Sequence, residues 1–181
     1  GNAEIARALL AAGANPNVAM GAGEPVIMTA ARTGNVPLLK ALVDAGADVN
    51  ARERFYGQTP LMWAAIEDHG AAIQMLAAAG ADVNARANIL EGEPTWRYGA
   101  DSRNGINGEA LQNFNTNFSK GGLTPLMYAA REGSIVAVRA LIDAGASHRA
   151  VDPEGFTPLL LAILNGHFDT AAALVERGVD V

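Results

Sequence analysis

Apolar positions along the chain fall into two alternating arrangements, each at the three-to-four-residue spacing of a helix. Short clusters containing Ala64-Ala65 or Ala129-Ala130 follow the pairs Thr59-Pro60 and Thr124-Pro125, and a third pair stands at Thr157-Pro158. A threonine hydroxyl can cap free helix amides, and proline at the first helical position loses no hydrogen bond, so each pair predicts a helix start. A glycine or aspartate comes next, at Gly34, Asp68, Gly133 and Gly166. Such a residue predicts a reversal through a left-handed conformation. A longer apolar stripe follows, marked by Leu38, Leu39, Leu42 and Val43 in one stretch and by Val138, Leu141 and Ile142 in another, and Gly46, Gly80, Gly145 and Gly178 stop it. The predicted unit is a turn, a short helix, a tight reversal, a longer helix and an extended exit.

Two phrases recur in step, which makes the unit a repeat. The first is Gly-Ala-Asp-Val-Asn, intact from Gly46 and Gly80, varied as Gly13-Ala14-Asn15-Pro16-Asn17 and decayed at Gly145 and Gly178; the glycines are spaced 33, 34, 65 and 33 residues apart. The second is Gly57-Gln58-Thr59-Pro60-Leu61-Met62, with copies from Gly122 and Gly155 and a degenerate one from Gly23. Together the Thr-Pro-Leu opening, the Ala-Ala pair and the Gly-Ala-Asp-Val-Asn ending resemble the ankyrin repeat. The resemblance implies an all-α repeat solenoid of helix pairs joined by hairpin-like fingers. It divides the single domain into a half repeat at 1–17, repeats at 18–52, 53–86, 121–151 and 152–181, and an insertion at 87–120. One departure stands out: where the family pattern has histidine, this chain has Met28, Met62, Met127 and Leu160. The threonine-histidine hydrogen bond must be missing, with methionine's adaptable side chain filling the space.

The 65-residue interval is one period plus an insert, set between the exit Asn84-Ala85-Arg86 and the entry at Gly122. Lengthening a loop from about 4 to about 35 residues adds only on the order of 2 kcal/mol of closure entropy. A decayed repeat is the alternative, but the insert lacks both the helical stripe and the Thr-Pro-Leu signature. Long loops without structure of their own are usually functional, and aromatic and arginine side chains dominate binding hot spots. Trp96, Arg97 and Tyr98 are therefore the leading contact candidates, set against a reading in which the aromatics plug the loop onto the array. Asn104 to Glu109 faintly suggests a calcium loop, but the acidic spacing is missing and turn formation explains it better.

Composition narrows the function. Half of the 181 residues are apolar, enough for a substantial core, and the formal charge of −6 argues against a general nucleic-acid binder. Absence of cysteine removes disulfides, thiolate zinc sites and cysteine nucleophiles, and fits reducing and oxidising compartments alike. The longest apolar runs, such as 158–164, are far below a bilayer span of about 20 residues, so no membrane partner is expected and the chain reads as soluble. His69, His148 and His167 lie in different repeats without a second ligand at metal spacing. Ser134 and Ser147 are in no nucleophile elbow, Gly21-Ala22-Gly23 opens no dinucleotide fingerprint, and no phosphate loop is present. Neither catalysis nor a cofactor is expected.

The resemblance implies a scaffold that binds a protein partner through its fingers and the exposed face of the first helices. The matching finger residues are Arg52, Glu53, Arg54, Phe55 and Tyr56, with Val151, Asp152, Pro153 and Glu154 in a later finger. The matching first-helix positions include Arg32, Glu67, Arg131 and Glu132, while Trp63 and Tyr128 alternate with core positions and are expected to pack between helices. A second reading comes from the ends, since terminal repeats ordinarily need a polar outer face. The chain opens within a second helix, Glu4 to Leu10, and its last repeat keeps Leu160, Ile163, Leu174 and Val175. Either flanking sequence covers these ends or copies stack head to tail as a homo-oligomer or filament.

Overall fold

The computed structural model describes residues 2–20, 23–89 and 121–178. Among them are nine helices: α1 (Asn2–Ala11), α2 (Val26–Arg32), α3 (Val36–Asp44), α4 (Pro60–Ile66), α5 (Gly70–Ala78), α6 (Pro125–Glu132), α7 (Ile135–Asp143), α8 (Pro158–Leu164) and α9 (Phe168–Glu176). The even-numbered, first helices pack in the order α2, α4, α6, α8, and the second helices in the order α1, α3, α5, α7, α9. This is the all-α repeat solenoid that the resemblance implies. No strand occurs among the described residues beyond two isolated antiparallel bridges, Ala19 with Pro25 and Ile89 with Gly121.

The core lies between the two helix layers. Leu61, Ala64 and Ala65 of α4 and Leu126, Ala129 and Ala130 of α6 are buried against Leu39 and Leu42 of α3, Ile73 and Leu76 of α5 and Val138 and Leu141 of α7. Burying a leucine or isoleucine side chain contributes about 1.5–3 kcal/mol, and alanine at the crossings lets neighbouring first helices approach closely.

Each helix start has its own chemistry. Thr59 Oγ1 accepts the Met62 amide at 3.4 Å, and the Thr59 amide donates back to Met62 Sδ at 3.4 Å. Thr124 and Met127 repeat the exchange at 3.4 and 3.5 Å. Methionine therefore does more than fill the histidine position: its thioether accepts the cap amide, as the carboxylate does in a capping box. Second helices are anchored from the neighbouring repeat. His69 Nε2–H donates to the Arg32 carbonyl at 3.0 Å, and Ser134 Oγ to the Ile66 carbonyl at 3.1 Å. Gly34 and Gly133 lie beneath the rings of His69 and His167, where an added Cβ would come within 2.7 and 2.6 Å. Each is also left-handed, so glycine answers both the conformation and the close approach.

Asp68 takes the same reversal without being glycine, at φ 59°. Its Oδ1 accepts the Ala137 amide at 2.7 Å, so it caps α7 of the next repeat, whose own N-cap, Ser134, is engaged elsewhere. This bond crosses the boundary at which residues 90–120 enter the sequence. The finger spans that boundary too: the Ala87 amide donates to Leu123 at 3.0 Å and Gly122 to Asn88 at 3.1 Å, while Asn88 in turn donates to Tyr56 of the preceding finger at 2.7 Å. The 53–86 and 121–151 stretches thus stack as direct neighbours despite the interval between them.

A second ladder runs along the turns that leave the second helices. Asn17 Nδ2 donates to the Gly46 carbonyl at 3.1 Å while its Oδ1 accepts the Asp48 amide at 2.8 Å. Asn50 repeats the pair with Gly80 and Asp82 at 3.1 and 2.8 Å, and Asn84 Oδ1 accepts the Ser147 amide at 2.8 Å. Asp48 and Asp82 fix the turns by accepting the amides of Asn50 and Asn84, each at 2.9 Å.

Three substitutions test this account. Asn50→Ala removes two bonds between repeats, each contributing about 0.5–1.5 kcal/mol. Urea unfolding is expected to show a loss of about 1–2 kcal/mol with an unchanged m-value. Asp68→Ala removes the cap and places a less suitable residue at positive φ, for a loss of roughly 2 kcal/mol. Asp68→Asn, which tolerates that conformation and keeps a side-chain acceptor, is expected to stay within about 0.5 kcal/mol of the parent in the same titration.

Candidate interaction surface

The first-helix face is organised by arginines lying on aromatic rings. The Arg32 guanidinium, at the end of α2, sits 5.7 Å from the centroid of Trp63 on α4. That of Arg131 sits 5.0 Å from Tyr128, one turn earlier on α6. Stacking of this kind contributes about 0.5–1 kcal/mol at exposed sites and holds a long side chain in one place. Arg131 is also paired with Glu132 at 2.8 Å, so these two predicted contact residues engage each other. Arg32 is exposed and has no carboxylate partner among the described residues. Glu67, the C-cap of α4, is exposed on the same face.

Tyr128 is only 6% exposed, as its alternation with core positions predicts. Burial pushes its phenol pKa up, and the hydrogen bond with Gln58 of the preceding repeat and the positive charge of Arg131 offset part of that rise. Trp63 is half-buried, with its indole nitrogen turned inward and unpaired among the described residues, so packing and Arg32 hold the ring. Both aromatics thus serve as platforms beneath arginines, a role that their packing alone does not reveal.

At the fingers the buried carboxylates face inward. The sequence places Glu53 beside Arg54 as an exposed finger residue, but it is 9% exposed and folded inward. Its carboxylate accepts the amides of Phe55 and Tyr56, each at 2.6 Å, and of Gln58 at 3.0 Å. Asp152 is likewise turned in, at 4% exposed, accepting the amides of Glu154 at 3.0 Å and Phe156 at 2.8 Å. An ionised carboxylate satisfies two or three orphan amides that a hairpin this tight cannot pair by itself. Phe55 and Tyr56 do not share an environment either: Phe55 is 59% exposed, whereas Tyr56 is half-buried. Arg54 is exposed, its stem packed over Gly23 of the preceding finger.

Arg52 and Arg86 occupy equivalent positions and tie the fingers together. Arg52 Nη1 donates to the carbonyls of Gly57 at 2.9 Å and Arg86 at 2.7 Å. Arg86 Nη1 donates to Gly122 at 3.0 Å and Val151 at 2.8 Å. The repeated Asn-Ala-Arg at 50–52 and 84–86 is the signal that sequence alone offers for this pairing. The leading sequence candidates Trp96, Arg97 and Tyr98, and the turn at 104–109, lie outside the described residues. Among the described residues no group of three or more His, Asp or Glu side chains is placed to hold a metal ion, and no helix is long and apolar enough to cross a membrane.

Stacked helix pairs, finger turns and a continuous first-helix face define a repeat solenoid of the kind that presents an extended surface. A family model described as ankyrin repeats (three copies) matches residues 1–87 and 102–181. The chain belongs to the ankyrin-repeat family. Such repeats generally mediate protein–protein interaction, and the family is typically non-catalytic. The chain is 42% identical over 53 residues to ankyrin repeat-containing protein P1E11.10 of Schizosaccharomyces pombe, covering 29% of this chain and 26% of that protein. It is 39% identical over 56 residues to glycerophosphocholine phosphodiesterase GDE1 of Candida albicans, covering 31% of this chain and 5% of that protein. It thus spans about a quarter or less of the length of the curated relatives it matches.

The environment of Tyr128 yields a pH prediction with a definite sign. Because its folded pKa is raised, its contribution to stability is complete below the ordinary tyrosine pKa of about 10 and falls as pH rises beyond it. Absorbance titration is expected to show a tyrosine ionising above pH 10 that is missing from Tyr128→Phe, with the parent losing stability faster than the variant over that alkaline range.

Proposed function

We propose that this chain is a non-catalytic scaffold that binds a protein partner through its fingers, its first-helix face and the segment 87–120. The observation that carries the proposal is Arg32, exposed and held over Trp63, with no carboxylate partner among the described residues. A guanidinium prepositioned on a ring loses little side-chain entropy on binding, and arginine and aromatic residues dominate interface energetics. The proposed contacts are Arg32, Arg54, Phe55, Tyr56, Glu67, Arg131 and Glu132, joined by Trp96, Arg97 and Tyr98 from the insertion. Fold does not choose the partner.

Affinity capture followed by cross-linking mass spectrometry tests this reading. Cross-links from the captured protein are expected on first-helix and finger residues, and Arg32→Ala or Phe55→Ala is expected to weaken capture about fivefold or more, as hot-spot truncation does. Lys40→Ala, on the outer helix α3 and paired with Asp44 at 3.0 Å, is expected to change nothing. Cross-links confined to the outer helices would sink the proposal.

A second reading is end-to-end association of copies into an oligomer or filament. It is favoured by exposed Ile5 and Leu9 on α1 and by exposed Ile163 and Leu164 on α8. Such contacts between unlike surfaces propagate unless they close a ring. Light scattering over a wide concentration range separates the two, since stacking requires mass to grow with concentration while the scaffold stays monomeric.

A further inference from the structure

The finger edge combines two arrangements that a generic interaction surface does not require. The first concerns charge. At the fingers, Glu53 and Asp152 are buried and accept backbone amides of their own loops, while Asp48 and Asp82, in the turns leading into them, accept the Asn50 and Asn84 amides and stay exposed. Glu154 is half-buried. The guanidiniums go the other way. Arg52, Arg54 and Arg86 are exposed, and among the described residues the carbonyl bonds of Arg52 and Arg86 use Nη1 alone of their guanidinium nitrogens. In a chain of net charge −6, the carboxylates of these fingers are thus buried or half-buried while their guanidiniums are exposed.

The second arrangement is apolar. Successive fingers each carry an exposed hydrophobic side chain: Phe55 at 59%, Ile89 at 57% and Val151 at 43%. Arginines and hydrophobic residues so alternate along the array, linked by the bonds from Arg52 to Arg86 and from Arg86 to Val151. Neighbouring helices pack about 8–10 Å apart, which sets the finger spacing. An extended peptide rises about 3.3 Å per residue, so it meets a new finger roughly every third residue.

Building on the scaffold reading, we propose that this edge binds an extended acidic segment of the partner, with apolar residues about three apart lying on Phe55, Ile89 and Val151 and carboxylates between them reaching Arg52, Arg54 and Arg86. Carboxylate matches the planar guanidinium fork, and the apolar row distinguishes such a segment from a phosphate backbone, which offers no side chain for it. Arg54 and Phe55 supply recognition without supporting the fold. Arg52 and Arg86 do both.

Peptide-display selection of random 16-residue sequences on the full chain, followed by fluorescence polarisation with the winning peptides, tests the inference. Enrichment of aspartate and glutamate, with apolar residues at three-residue intervals, is the expected result. The double variant Arg54→Glu/Phe55→Ala is expected to bind those peptides at least about tenfold more weakly, a loss of about 1.4 kcal/mol. Its melting temperature should match the parent's, since neither side chain makes a hydrogen bond among the described residues. Peptides that ignore the double variant but lose affinity to Arg32→Ala would overturn the edge assignment while keeping the scaffold. Absence of enriched peptides overturns the acidic-segment assignment alone, leaving the scaffold to the capture experiment. Displacement of the peptide by a single-stranded oligodeoxynucleotide would convert the edge to a phosphate track and overturn the peptide assignment. Binding that emerges only when residues 90–120 are replaced by a short turn would assign the edge to the chain's own insertion instead.

Discussion

The asparagine side chain that reaches from one repeat into the next is the interaction on which the array depends. A unit of about 33 residues is too small to bury a core unaided, so its stability has to come from neighbours. Hydrophobic contact between helix layers supplies most of that stability but allows sliding. Asn17 and Asn50 remove the freedom, because an amide that donates to one group and accepts from another two residues away fits a single register, and Asn84 adds its acceptor bond from Ser147. Arg52 and Arg86 fix the finger layer in the same way, and Ser134 with Asp68 fixes the helix starts. Three layers of directional bonds thus hold a stack whose cohesion is mostly non-directional.

These same bonds explain how the array carries an interval of 65 residues where 33 or 34 is the rule. At that boundary the cap from Asp68, the staple from Asn84 and the guanidinium of Arg86 are all present. The helices on either side meet as if the chain were continuous. Loop length then enters only through closure entropy, which grows slowly, and the finger's geometry is decided by the residues at its base. A finger can therefore be lengthened in sequence without altering the frame on either side of it.

Helices and their boundaries were legible because each rests on local chemistry: Thr-Pro at the starts, glycine at the stops and apolar residues at helical spacing between. Packing of Tyr128 was legible for the same reason. What side chains do across repeat boundaries was not. Glu53 and Asp152 read as finger-tip charges, because sequence does not show that a hairpin of this length leaves amides only an inward carboxylate can satisfy. Arg131 read as a first-helix contact position, with no sign that Glu132 pairs with it and Tyr128 lies beneath it. Arg32 over Trp63 joins residues 31 positions apart, and only the stacking of repeats brings them together.

The thioether caps have a consequence for how the array meets a changing environment. In the family pattern a histidine occupies the position of Met62 and Met127, and imidazole gains a proton within the range that cells and their compartments span. A thioether takes up no proton there. At α4 and α6 the acceptor for the threonine amide keeps one electronic state from acidic vesicle to alkaline cytoplasm, so these helix starts do not report acidity. Oxygen-donating oxidants are the chemistry to which they remain exposed in principle, and burial at 0% exposed shields both sulfurs from that as well.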